Sequence, residues 1–433
     1  LDLKTAIFGA LKMNQRLLEA SENYRLSYAK YLSFQSQFLP TLSATSVWNG
    51  GQDYLLNTQV NFMTDWGLGV TPQLSKSSTA SVSGALGLSL PIRGQAAPYF
   101  FLQRSFYLDD LVAAQATYRF EKSAAVAQVI KAYWEWVEAD ARALSAQMMQ
   151  TLRQEMLGKI SKLIEAQVRP SSDHLVARAQ ARQSHMDRLD ARADRLRTIQ
   201  ALSEWVGFPL EAENYQVGTP LPSEEYQLPD YYCDPTLYRD DYRSLVAQSR
   251  SQLAYLRSLD LASDPALSLV GSIEQPTLGS GPLSYQVGFL FQLPIWNVQQ
   301  ESARLNYDTI ASRFQRQLDF LSISLRSQEI RYRLRLKDTW ESYSLSLEHE
   351  RDFSQIYENE LKKMTFGDAT LLDVLIQIQN RESAIFQRLE YQKIYAQTRV
   401  DWGFSTGLLL HSDGTLNWEL ILGDRDVTEN ASI

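Results

Sequence analysis

Histidine, cysteine and paired carboxylates are the side chains here that could carry chemistry, and their spacing argues against it. The histidines are His174, His185, His349 and His411. Only His174 and His185 lie close in sequence, and their separation of eleven positions spans ~16 Å of helix, too far to share a metal. Cys233 is the only cysteine, which excludes an intrachain disulfide and a multi-cysteine zinc site. Beside Tyr231 and Tyr232 it reads as a small buried or interfacial residue. Asp109-Asp110 and Asp240-Asp241 are adjacent pairs, so on a helix they point different ways and read as solvated faces. No nucleotide-binding glycine loop, H-E-x-x-H or G-x-S-x-G pattern occurs. The expectation is a chain without catalytic, cofactor or metal residues, and not an enzyme.

The whole chain narrows the class further. Its 433 residues are 44% hydrophobic and 21% charged, with a formal net charge of -8. Such a chain is not disordered, and the acidic balance argues against a nucleic-acid partner, because phosphate recognition uses clustered Lys and Arg. No run approaches the ~18 apolar residues of a transmembrane helix. Leu1-Asp2-Leu3-Lys4 has no leader pattern, so the expectation is either a cytosolic chain or a mature form. Entry into a membrane would require a β-barrel.

The elements come twice. Asp173-His174-Leu175 recurs as Asp373-Val374-Leu375, Gly207 as Gly407, Leu90-Pro91-Ile92 as Leu293-Pro294-Ile295, and Pro40 as Pro265. Each repeat reads helix, strand, loop, strand, very long helix, turn, helix. A first helix is expected over 1–39, a strand pair with a polar loop at Asn49–Ser78 over 40–98, a long helical hairpin over 99–207 and a proline-rich connector over 208–235. The second repeat supplies a helix over 236–264, a strand pair over 265–294, a long hairpin over 295–407 and a C-terminal segment over 408–433. In the strands, Val82, Leu86 and Leu88 alternate with Ser81, Ser83, Gly87 and Ser89. Val287, Phe289 and Phe291 alternate with Gln286, Gly288 and Gln292. This is the period of a pleated strand with one apolar face. Ile330–Lys337 also alternates, yet a helical stripe from Leu318 through Leu336 runs across it, so helix is expected. Four strands per chain are long enough to cross a bilayer but cannot close, and lipid tolerates no open edge. If they lie in a membrane, several copies must share one barrel.

Tyr99, Phe100 and Phe101 follow the second strand and Trp296 the fourth. Aromatic residues at equivalent points of both repeats suit a membrane–water girdle; packing at a helix start is the alternative. Lipid contact is expected for Val82, Leu86, Leu88, Val287, Phe289 and Phe291.

The opening Leu3, Ala6, Ile7, Ala10, Leu11 and Asn14, the junction Phe38-Leu39-Pro40-Thr41-Leu42 and the turn Gly367-Asp368-Ala369-Thr370-Leu371-Leu372-Asp373-Val374-Leu375 resemble the TolC-like outer-membrane efflux family over essentially the whole chain. Departures are Gln15 where that family often has Pro, Gln167 in place of the turn glycine in repeat one, and Met364 and Ala369 where better-known members have a Tyr and an Arg. The resemblance implies a mixed α and β membrane protein. It implies a homotrimer, a twelve-stranded barrel in outer-membrane lipid, a periplasmic tube of twelve helices and an equatorial belt. It implies a passive exit duct for drug, metal or protein cargo, working with a periplasmic adaptor protein and an inner-membrane transporter. A soluble coiled-coil scaffold is the rival from another class. The adaptor is expected at the hairpin tips, at Val168, Arg169, Ala369 and Thr370. Asp173, Asp373, Asp368 and Gly367 are expected to form a charged periplasmic gate. Thr370-Leu371-Leu372-Asp373 equally fits a helix-capping role, and one residue can serve both.

Overall fold

The computed structural model describes residues 1–48, 54–65, 67–78, 82–93, 96–166, 170–211, 215–229, 232–278, 282–292, 298–366, 368–411 and 413–422. The described elements are α1 (Leu3–Met13), α2 (Gln15–Ser36), β1 (Thr41–Trp48), β2 (Tyr54–Met63), β3 (Gly69–Ser77), β4 (Ser83–Arg93), α3 (Ala97–Glu165) and α4 (Ser171–Val206). They continue with a 3-10 turn (Pro235–Leu237), α5 (Asp240–Ala262), β5 (Ala266–Gln275), β6 (Ser284–Gln292), α6 (Val298–Phe366), α7 (Leu371–Thr406) and α8 (Trp418–Leu422). The chain divides into one unit built from 1–19, 119–239 and 323–433 and another from 20–118 and 240–322.

The unit of 20–118 and 240–322 holds the sheet. The expectation of four strands is corrected to six, in the order β1-β2-β3-β4-β5-β6. The segment read as a polar loop, Asn49–Ser78, contains the hairpin β2–β3, which pairs antiparallel with β1 on one side and β4 on the other. Its polar residues and Pro72 masked the strand signal. A central-strand proline is disfavoured because it cannot donate to the ladder. Here the β2–β3 register runs Leu55–Gln59 against Ser77–Gln73 and resumes at Phe62 against Val70, so Pro72 sits in the interruption.

The long helices form as expected. α3 and α6 each run 69 residues, and proline is confined to the first turn of α3, at Pro98, where it is tolerated. At ~1.5 Å per residue each extends ~100 Å. Ile330–Lys337 is helical within α6. The expected first helix, by contrast, is broken at Asn14, which has extended backbone (ψ 117°) and whose side chain accepts from the Leu17 amide at 3.3 Å. Asparagine caps the second piece by satisfying a first-turn donor.

The unit of 1–19, 119–239 and 323–433 has two cores. One gathers Ile7 and Ala10 of α1, Tyr133, Trp134 and Trp136 of α3, Leu202 of α4, Tyr395 and Trp402 of α7 and Leu420 of α8. The connector is tied to it: Tyr395 Oη accepts from the Tyr226 amide at 2.7 Å and donates to the Glu224 carbonyl at 3.1 Å. Cys233 is buried, as expected, and burial raises its thiol pKa. The second core joins the ends of α3 and α6 to the starts of α4 and α7 through Met156, Ile160, Ala177, Tyr357, Leu371, Val374 and Ile378. The repeat is visible in the helix ends: Gly207 and Gly407 close α4 and α7 with φ of +84° and +77°. A left-handed C-terminal residue is where glycine is favoured.

Candidate membrane-facing sheet and helical tips

The registers sort the sheet's side chains onto two faces, because the strand period is two. On one face Leu42 lies opposite Val60, Trp48 opposite Tyr54, and Phe62 opposite Val70. Val70 is opposite Leu88 and Pro72 opposite Leu86; Leu86 faces Ile273 and Leu90 faces Leu269; Leu269 faces Phe289 and Gly271 faces Val287. The other face carries Thr41 with Asn61, Ser43 with Gln59, Gln59 with Gln73, Ser75 with Ser83, Gly87 with Ser272 and Gln286 with Ser272. Val47, Leu55, Val270 and Leu290 are among its apolar exceptions. A mainly apolar face, with Ser46, Thr58, Lys76 and Gln275 as its polar exceptions, and a mainly polar face therefore extend across all six strands.

Leu86, Leu88, Val287, Phe289 and Phe291 share the apolar face. Val82 precedes β4 in the same alternation, its carbonyl accepting from the Leu278 amide at 2.9 Å. In one copy this face is uncovered: Val287 is 74% exposed, Phe289 70% and Leu88 40%. The aromatics divide. Phe101 is exposed. Phe100 is buried, edge-on to Phe38 at 6.0 Å, so it packs the strand–helix junction. Tyr99 is half-buried and accepts from Gln103 at 2.7 Å. Trp296 lies outside the described residues. Missed in the sequence were Trp48, Tyr54 and Tyr285, all exposed, at the end of the apolar face away from α2 and α3. The signal was available, since Trp48 and Tyr54 flank a Gly-Gly dipeptide, a sequence pattern that favours a hairpin turn.

At the tips, Asp373 and Thr370 form a reciprocal cap. The Thr370 amide donates to Asp373 Oδ2 at 2.8 Å, and the Asp373 amide donates to Thr370 Oγ1 at 3.2 Å. Those bonds from Thr370 favour the charged carboxylate and hold its pKa below the usual range. Asp173 stands in the first turn of α4 without that device, for Pro170 occupies the cap position. The repeat thus conserves placement of the two acids and not their bonding. Asp368 and Thr370 are exposed, whereas Ala369 is only 6% exposed. Gly367, Val168 and Arg169 lie outside the described residues.

Between the hairpins a buried charge cluster went unnoticed in the sequence. Arg153 of α3 bonds Glu382 of α7 at 2.5 Å and lies 3.6 Å from Asp187 of α4. Burial raises the Glu382 pKa, opposed by Arg153. The pair is 229 residues apart, beyond any local pattern. Among the described residues no group of three or more His, Cys, Asp or Glu could hold a metal, and no helix is long and apolar enough to cross a membrane.

Solved structures decide the fold. The chain is similar to the CmeC outer membrane channel of Campylobacter jejuni, at 18% identity over 94% of this chain and 85% of that one, with a TM-score of 0.64. It is similar to the open state of the Neisseria gonorrhoeae MtrE outer membrane channel, at 18% identity, 94% and 89% coverage and a TM-score of 0.66. The outer membrane protein VceC of Vibrio cholerae gives 14% identity, 94% and 96% coverage and a TM-score of 0.65. The chain has the outer-membrane channel fold. No family profile and no curated protein matches it.

Proposed function

We propose that the chain is one protomer of a passive exit duct across the outer membrane and periplasm, serving an efflux or secretion system, and that three copies assemble it. The observation that carries this reading is the sheet: one mainly apolar face, one mainly polar face and two strand edges. Lipid can cover the apolar face and water the polar one, and lipid tolerates no free strand edge. Exposed apolar stripes on the helices support assembly. On α7, Leu371, Leu375 and Ile378 are buried within the protomer while Leu372 and Ile376 are exposed; on α4, Leu175, Met186, Leu189 and Leu196 are exposed. A second copy would cover them. Solvation of such rows in a monomer costs roughly 25 cal/mol per Å².

In this reading Leu88, Val287, Phe289 and their row face lipid, and Phe101 and Trp296 lie near the membrane boundary. The periplasmic adaptor meets the hairpin ends near Val168, Arg169, Asp368 and Thr370, and an inner-membrane transporter supplies the energy. Asp173 and Asp373, with Asp368, charge the mouth. The test is reconstitution: purified protein should float with lipid vesicles and render them permeable to small solutes. A monodisperse, folded protein in buffer without detergent would overturn the proposal.

A further inference from the structure

The resemblance implies a barrel with four strands from each copy. We infer instead that the β2–β3 hairpin is part of the barrel wall, so that three copies close an eighteen-stranded barrel through β1 of one copy and β6 of the next. This rests on the membrane reading above and departs from the resemblance in the size of the pore.

Three observations carry it. First, β2 matches β1 over its full length, from Thr41 opposite Asn61 to Trp48 opposite Tyr54. The hairpin therefore occupies the same height of sheet as its neighbours and is not an extension beyond their ends. Second, its inner turn is seated at the strand–helix junction. Gly67 has φ +94°, and a Cβ there would stand 3.0 Å from both Pro91 Cγ and Phe100 Cε2. The Thr64 amide donates to the Leu68 carbonyl at 2.9 Å, and the Leu68 amide to Thr64 Oγ1 at 3.0 Å. Third, the hairpin keeps the faces of the whole sheet. Val60, Phe62, Val70 and Leu74 continue the apolar face, and Gln59 and Gln73 the polar one.

A twelve-stranded alternative needs β1 to pair with β4, yet each is paired to a hairpin strand. Six strands per copy also keep closure antiparallel, since β1 and β6 run in opposite directions. At a fixed tilt the circumference grows with strand number, so eighteen strands give a backbone ring ~1.5-fold wider than twelve. Barrels of 16–18 strands leave an aqueous channel.

The experiment places nitroxide labels on the reconstituted oligomer, in a Cys233→Ser background, at Thr58→Cys, Leu74→Cys, Gln59→Cys and Gln73→Cys. Leu88→Cys and Ser89→Cys are references. Relaxation by oxygen, which concentrates in lipid, and by a water-soluble nickel chelate is measured at each site. The expected result is oxygen contact at 58, 74 and 88 and chelate contact at 59, 73 and 89. Chelate contact at 58 and 74 with oxygen contact kept at 88 overturns this inference and leaves the membrane reading standing. Chelate contact at 88 as well overturns both. Where a labelled variant fails to assemble, the strand count in an electron cryomicroscopy map of the wild-type oligomer decides: six per copy supports the wide barrel and four overturns it.

Discussion

Arginine placed on the two sides of one strand should have opposite consequences. β6 runs from Ser284 to Gln292, so Gly288 is its midpoint and Phe289 stands beside it on the apolar face. In lipid, Phe289→Arg puts a charge near the bilayer midplane, which costs ~2–4 kcal/mol. Because every 1.4 kcal/mol is tenfold, the insertion equilibrium of each copy should fall by a factor of about 30 to 1,000. Gln286→Arg, three residues away on the polar face, meets water in the lumen and should change stability by no more than ~0.5 kcal/mol. Leu88→Arg and Ser89→Arg repeat the contrast on β4. Reversible denaturant unfolding from lipid vesicles measures all four. Equal destabilisation of the two faces would refute the assignment of lipid and lumen, whatever the oligomeric state.

Four further outcomes follow from the helical parts. Glu382→Ala leaves the buried Arg153 guanidinium without its nearest partner and should destabilise the protein by ~3–5 kcal/mol, while Arg153→Met with Glu382→Leu should recover most of that in a denaturant titration. Because the folded Glu382 pKa is raised above its ordinary 4.5, the stability linked to its proton is present below that value and lost as pH rises through the folded one. Subtracting the profile of Glu382→Gln from wild type should expose this slope, and coincident profiles would contradict it. Gly407→Ala should lower the melting temperature by the equivalent of at least ~1 kcal/mol, since φ is +77° and a Cβ there would stand 2.8 Å from Tyr238 backbone; an unchanged transition would refute the left-handed cap. Asp173→Asn and Asp373→Asn together should weaken cation selectivity and divalent block in assembled channels, whereas Asp373→Asn alone should also fray the start of α7. Unaltered selectivity would leave only the cap.

What the sequence discloses depends on how local the cause is. The long helices, their glycine ends at Gly207 and Gly407 and the alternation of β4 and β6 are set by neighbours a few residues away, and all were readable. Pro72, Gly69 and the run of Asn and Gln in β2 are poor strand formers by themselves; they become strands because β1 and β4 offer partners on both sides, and propensity is overridden by pairing. Asn14 lies within an apolar stripe that continues on either side, so its break is visible only in its backbone and cap. A cluster such as Tyr99-Phe100-Phe101 announces a boundary, but which ring turns inward depends on Phe38 and Gly67, far away in sequence. The Arg153–Glu382 pair joins the two repeats and no single repeat encodes it. The acid cap at Thr370–Asp373 is entirely local and was legible; Pro170, at the equivalent cap position before Asp173, is just as local, and its lack of a side-chain acceptor is a signal the sequence also offered.

The central claim is a conducting path through lipid. Planar-bilayer recording of the purified oligomer tests it most directly. The account predicts discrete, ohmic steps that favour cations, each from the insertion of a single oligomer. Protein shown to be embedded by protection of its strands from protease, yet giving no steps at any voltage with Asp173 and Asp373 intact or substituted, would contradict it.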